Sequence, residues 1–241
     1  MTLCFPPRCV VCGTPGTEVC DVCWAAIPRI GQPFCQGCGR PFDPKAHAAD
    51  VCGDCRTGQF RFDRARAVGQ HVAPLRDLVL AFKFGGRHRL AEPLGRLLSE
   101  FVLAEGSPGG ALARADAIVP VPLHRSRQRW RGYNQAELLA ERLGEATGVP
   151  VAAAALRRVR DTKPQTELTP AQRRENVRGA FAVLDAETVQ GRTLLVLDDV
   201  MTTGATLSEC ARVLKRAKAE RVFALTVSRS TPDWDARRDL F

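Results

Sequence analysis

The chemistry of this chain concentrates in Thr193 to Leu207, TLLVLDDVMTTGATL. Two adjacent carboxylates, Asp198 and Asp199, are followed by the turn Thr202, Thr203, Gly204, Ala205 and Thr206. Adjacent acids accept hydrogen bonds from vicinal hydroxyls and help to hold Mg²⁺. A hydroxyl-rich turn opening onto a helix offers backbone N–H groups and the positive end of the helix dipole to a phosphate. A phosphorylated ribose satisfies both halves. No Gly-Lys-Ser/Thr comes after it, so this is not a Walker A loop, and Gly204 stands alone where a dinucleotide fingerprint needs three glycines.

A strand and a helix must position these groups. Leu194 to Leu197 has no polar alternation and predicts a parallel strand buried on both faces. The acids then lie at its carboxyl end, where open α/β sheets bind ligands. A helix is expected from about Ala205 to Ala219, with Cys210 as a core thiol beside Leu207, Val213 and Leu214.

A second chemistry is written in cysteine. Cys9 and Cys12, Cys20 and Cys23, Cys35 and Cys38, and Cys52 and Cys55 form four CxxC pairs, with Cys4 outside them. Two such pairs complete a tetrahedral thiolate shell, so the eight residues predict two structural Zn²⁺ ions. Pairing in sequence order and an interleaved arrangement both suit the spacing, and ligand softness would also admit iron–sulfur. So small a segment buries little apolar area without metal. Trp24, Ile27, Ile30 and Phe34 are expected to supply its core and its contact with the next domain.

Between these regions Phe60–Gln70 reads as a first strand, Ala73–Phe84 and Leu90–Leu103 as helices, and Lys83–Arg89 as a cationic loop. Lys83 is placed to approach an acceptor or a phosphate, or else is a solvated helix end. Val119, Pro120, Val121 and Pro122 end a short buried strand in a proline-stiffened turn, shaped in advance to offer backbone N–H groups to pyrophosphate. Arg125 to Gln135 comes next as an arginine-rich loop in which Arg129 and Arg131 can fork onto a diphosphate. Asn134 is read as the cap of the next helix. Leu156–Val159 reads as a strand, Arg160–Gly179 as a polar interrupted loop, Gly179-Ala180-Phe181 as the return to the sheet, and Arg221–Ser228 as another parallel strand.

The chain has 241 residues, 45% of them hydrophobic, and 35 basic against 26 acidic residues give +9. Up to residue 60 five basic residues match five acidic ones, so the remainder carries the whole excess and suits an anionic partner. The start, with prolines and cysteines, lacks the apolar core of a signal peptide, and no stretch reaches membrane-spanning length. The expected location is the cytoplasm, without membrane insertion, where cysteines serve metals before disulfides. The polar tail with Trp234 and Phe241 is expected to cover a sheet edge.

The apolar strand, paired acids and Thr-Thr-Gly resemble the signature of the type I phosphoribosyltransferases. Adding the CxxC pairs, Val-Pro-Val-Pro, Arg129-Trp130-Arg131-Gly132-Tyr133-Asn134-Gln135 and the run from Arg160 to Phe181, nearly the whole chain is similar to the ComF family of competence-associated proteins. That resemblance implies an α/β fold, a type I phosphoribosyltransferase-like parallel sheet flanked by helices, preceded by a small double zinc-ribbon domain. The expected division is residues 1–59 and 60–241.

The resemblance also implies phosphoribosyl pyrophosphate (PRPP) with Mg²⁺ as ligand, and a glycosyltransferase activity linked to DNA uptake in natural transformation. Asp198 and Asp199 would hold the ribose hydroxyls, Thr202 to Thr206 the 5-phosphate, and Lys163, Gln165 and Arg173 would be donors on a closing loop. The alternative is an adaptor of the competence machinery that binds single-stranded DNA or a DNA-uptake helicase, with Trp24, Trp130 or Tyr133 stacking on bases.

Overall fold

The computed structural model describes residues 7–43, 50–104, 109–162 and 168–230. Lys163, Gln165, Cys4 and the tail after residue 230 lie outside them, so the expectations placed there have no structural counterpart.

In chain order the elements are α1 (Asp21–Ala25), α2 (Gly53–Arg56), β1 (Arg64–Gln70), α3 (Leu75–Phe84), α4 (Ala91–Leu103) and β2 (Ala117–Pro120). Then come α5 (Arg125–Arg131), α6 (Gln135–Thr147), β3 (Leu156–Arg158), α7 (Pro170–Val177), β4 (Phe181–Val183), β5 (Thr193–Met201), α8 (Ala205–Arg216) and β6 (Arg221–Arg229). The main sheet is parallel, in the order β1-β6-β5-β2.

Both faces of this sheet are covered, which is why its strands read as unbroken apolar runs. Leu195, Leu197, Leu225 and Val227 pack with the buried stripes of α3, α4 and α6. Leu194, Val196, Val222 and Ala224 point the other way, onto Leu207, Cys210, Ala211 and Leu214 of α8. The alternation of successive side chains therefore divides each strand between two cores.

The cysteine-rich segment closes one sheet edge. Ile30 N–H donates to Val68 O and Gln70 N–H to Pro28 O, while Ala65 N–H reaches Gly37 O. These bonds occupy backbone groups of β1 that would otherwise be an open template for pairing. Ile27 joins the α3 and α4 core, Ile30 and Phe34 pack on Ala67, and Trp24 lies under the guanidinium groups of Arg29 and Arg96. The opposite edge is covered where Ile118 N–H meets Pro150 O and Ala152 N–H meets Ile118 O.

Three local expectations change. Arg125–Arg131 is a helix, not a loop: the His124 side chain accepts from Ser126 N–H, and Gly132 ends it at φ +85°. Arginine and glutamine are good helix formers, so a dense charge run between two caps needs no other shape. β3 and β4 form a separate antiparallel pair, so Phe181 does not rejoin the main sheet. The polar stretch before it contains α7, which starts on a capping box between Thr169 and Gln172 with Pro170 at its first turn.

Candidate functional site

β2 stops at Pro120, opposite Leu197, while β5 runs on beside β6, with Asp198 opposite Thr226 and Met201 opposite Arg229. Asp198 and Asp199 thus stand where one neighbour has ended, inside a strand longer than the expected Leu194–Leu197. The crevice at this point comes from unequal strand length at the carboxyl edge of the sheet.

Successive strand residues face opposite layers, yet Lys83 acts on both acids and Arg158 more weakly on Asp198. Lys83, at the end of α3, donates to Asp199 Oδ1 at 2.8 Å, and Asp199 is 4% exposed. Lys83 is therefore tied to an acid and is not a solvated helix end. On the other face Asp198 feels Arg158 of β3. Burial pushes the Asp198 carboxyl up to about 7, the charge of Asp199 adds to this, and Lys83, the Asp199 N–H and Arg158 oppose it.

The turn beyond the acids is held open at its centre. Gly204 has φ +74°, and a Cβ there would lie 2.6 Å from Met201 Cε and 2.9 Å from the Phe60 ring. Only glycine combines that backbone with that contact. Gly204 is the N-cap of α8 and supplies no side chain, so the first N–H groups of a twelve-residue helix lack the usual cap; Thr203 Oγ1 accepts from Ala205 N–H only at 3.4 Å. Beside it is a cavity of about 340 Å³ whose lining includes Phe60, Arg61, Arg174, Thr203 and Arg212.

The arginines of α5 sort by helical face. Arg131 is partly buried, sits 5.2 Å over the Phe84 ring and lies in the field of both acids, whereas Arg129 is exposed. Burial lowers the Arg131 pKa, and its Nε is buried with no hydrogen-bond partner. Val119 to Pro122 supplies little by way of backbone donors: Pro120 and Pro122 have no N–H, and Val121 gives its own to Leu197 O. Asn134 instead ties this turn to α6, donating to Val121 O and accepting from Ala136 N–H.

The base of the polar segment is fastened on two sides. Ser126 Oγ donates to Asp161 Oδ2 at 2.8 Å, with His124 Nδ1 at 3.3 Å, and Arg127 donates to Thr162 O at 2.6 Å. The Ser126 hydroxyl, then His124 and the Thr162 N–H, hold the exposed Asp161 carboxyl below its ordinary pKa. Arg160 donates to Asn176 O and Arg178 O, and Gly179 N–H donates to Glu209. Arg173 lies on α7, where its Nε donates to Leu168 O. Sequence reasoning passes over Arg158, His124 and Asp161. A buried arginine in a short strand and a histidine preceding a helix carry no spacing signal of their own.

The cysteines gather in sequence order. Cys9, Cys12, Cys20 and Cys23 form one group and Cys35, Cys38, Cys52 and Cys55 the other, with the sulfurs of each within 4.8 Å of one another. Cys35–Cys55 and Cys38–Cys52 are each separated by 3.6 Å, close to the roughly 3.8 Å edge of a tetrahedron built with Zn–S bonds of about 2.3 Å. Four thiolates leave no open position for water, so the donor set fits structural zinc and not a catalytic ion.

Residues 1–56 match the double zinc ribbon domain and residues 131–238 the phosphoribosyl transferase domain. The chain is 30% identical to "Competence protein F" of Haemophilus influenzae over 223 residues, covering 90% of this chain and 95% of that protein. It is 36% identical to "DNA utilization protein YhgH" of Salmonella typhimurium, covering 91% and 96%. A glutamine PRPP amidotransferase from B. subtilis, solved with ADP and GMP, aligns with 56% of this chain and 25% of its own length at 23% identity and a TM-score of 0.37. Among the described residues no helix is long and apolar enough to cross a membrane.

Proposed function

The chain belongs to the ComF family of competence proteins, and on that premise we propose that it binds Mg²⁺-PRPP at the carboxyl edge of its parallel sheet and transfers the ribosyl group. The setting is DNA uptake or nucleotide salvage in the cytoplasm, with residues 1–59 as the metal-binding domain and 60–241 as the transferase. What carries the reading is the juxtaposition of three features. The acid pair projects past β2, the N-cap of α8 is a glycine with no side chain, and Arg131 lies in the field of both acids.

In this reading Asp198 and Asp199 accept hydrogen bonds from the ribose hydroxyls, and Thr202 to Thr206 surround the 5-phosphate. Mg²⁺ held near the acids supplies positive charge to the pyrophosphate. Arg131 takes the pyrophosphate oxygens, Val119 to Pro122 shapes the wall beside them, and Arg129 on the outer face of α5 contributes long-range attraction. The acceptor's electron pair forms the new bond to ribose C1 as the C1–O bond breaks. Pyrophosphate leaves with that bond's electrons, and the acceptor loses its proton to solvent. Negative charge grows on the leaving group, so donors from Lys163, Gln165 and Arg173 on a closing segment would favour the transition state.

Calorimetric titration with PRPP and Mg²⁺ tests the site. Replacing Asp198 and Asp199 together by Asn should cost about 1.5–3 kcal/mol per charged hydrogen bond lost. Equal affinity in the folded wild type and the double variant would sink the assignment.

A second reading draws on Trp130, 74% exposed, and Phe84, 56% exposed, among the arginines of α5. Such a surface suits single-stranded DNA, with a DNA-uptake helicase as protein partner and the PRPP site non-catalytic. Absence of PRPP binding by wild type would favour it. Its electrostatic basis fails if oligonucleotide affinity does not change across a salt series.

A further inference from the structure

The second cysteine group is set against two buried arginines that have no carboxylate partner among the described residues. Arg229, at the end of β6, is 2% exposed, and Arg66, on β1, is 4% exposed. Arg229 donates from one nitrogen to Cys38 O at 2.7 Å and Met201 Sδ at 2.9 Å, and from another toward Cys38 Sγ at 3.7 Å. Arg66 donates to Gln36 O, Gln36 Oε1 and Ala65 O, beside Cys35, with its guanidinium 4.8 Å over the Phe34 ring. Both keep a buried Nε without a partner. Nearby Arg40 is already matched by Asp54 at 2.7 Å.

Two uncompensated cations in a protein interior are costly, and neutral thiols would leave them so. Four thiolates around one Zn²⁺ carry a net charge of −2, which two arginines balance. We propose that Arg229 and Arg66 are the counter-charge of the zinc site formed by Cys35, Cys38, Cys52 and Cys55, selecting a dianionic tetrathiolate there and slowing loss of its metal. Among the described residues the first group has no such pair: Cys12 is exposed, and Arg8 beside it reaches Gly13 O from the solvent side.

The test is zinc release from the purified full-length protein into excess chelator, followed by a coloured zinc indicator. Two phases are expected, and Cys12→Ser, which removes a ligand of the exposed site, assigns the fast one by abolishing it. In Arg229→Met and Arg66→Met the slow phase should accelerate at least tenfold with the fast phase unchanged, while Arg229→Lys, which keeps the charge, should stay within about threefold of wild type. Methionine fills similar space and removes only the charge and its donors, so folding checked by circular dichroism should persist. If one methionine variant does not fold, the other is read alone, and Arg229→Lys still separates charge from shape. An unchanged slow phase in a folded methionine variant overturns the proposal. So does equal acceleration of both phases, which would mean general loosening, or a lysine variant as fast as the methionine one. PRPP plays no part in these readings, so they stand or fall apart from the proposed transfer activity.

Discussion

The two cysteine groups share the paired CxxC pattern and differ in the exposure of one ligand and in the charges around them. The first lies at the periphery with Cys12 exposed; the second has Cys35, Cys38 and Cys52 buried in the core that also holds Phe62, Met201 and α8. The same paired CxxC motifs, with 7 residues between the pairs in one group and 13 in the other, thus build two clusters with different surroundings. One sits in a small segment, and the other packs into the core at the sheet end from which the Gly204 turn departs. Ligand type specifies coordination, while burial and neighbouring charge decide how much of the fold depends on the metal.

The sharpest way to break this comparison is to remove one ligand from each group. Cys38→Ser is expected to lose one zinc and several kcal/mol, on the order of a large core defect, because the vacated site faces packed sheet. Cys12→Ser should also lose one zinc but lower the melting temperature far less. Metal analysis beside thermal melts checks both, and equal losses of stability would erase the distinction.

Gly204→Val probes the link from the second group to the turn, through Met201 and Phe60. A branched side chain at φ +74°, with Met201 Cε 2.6 Å from its Cβ, should cost about 2–4 kcal/mol from strain and overpacking. PRPP affinity should fall in the same variant. Chemical denaturation with parallel calorimetry reads the two effects, and a variant with wild-type values for both would show that the turn has room.

The acid edge gives a smaller effect with a definite sign. Asp198 is raised to about 7 in the folded protein against about 4 in an unfolded chain, so the native state holds the extra proton between those values. Its contribution is therefore most favourable at low pH and is lost as pH rises through about 7. Asp198→Asn should raise the melting temperature at pH 8, with the gain shrinking toward pH 4. A gain independent of pH would show that its carboxyl titrates normally. Smallest of all, Asn134→Ala should cost about 1 kcal/mol for the lost cap of α6, with both metals retained. Metal loss in that variant would mean that the clusters are coupled to the far side of the sheet.

The parallel strands, the CxxC pairs, the acids, the Gly204 turn and the Asn134 cap are legible because each is a short-range pattern. An unbroken apolar run, a fixed ligand spacing or a cap before a stripe needs only local chemistry to be read. Arg125–Arg131 misleads for the same reason: its charge suggests a loop, while the caps that make it a helix are one histidine and one glycine at its ends. Phe181 reads as a return to the main sheet but pairs elsewhere, because a strand's partner is not written in the strand itself.

The sequence alone marks which side chains suit metal, phosphate or hydroxyl groups and which segments are buried strands or amphipathic helices, since these depend on side-chain type and period. Only the tertiary structure decided that the cysteines pair in order, that Lys83 meets Asp199 from α3 across 116 positions of chain, and that Arg229 reaches Cys38 across 191. Such contacts join residues whose local surroundings carry no trace of one another. Their energies come from desolvation and charge balance in the packed core, which exist only once the chain has folded.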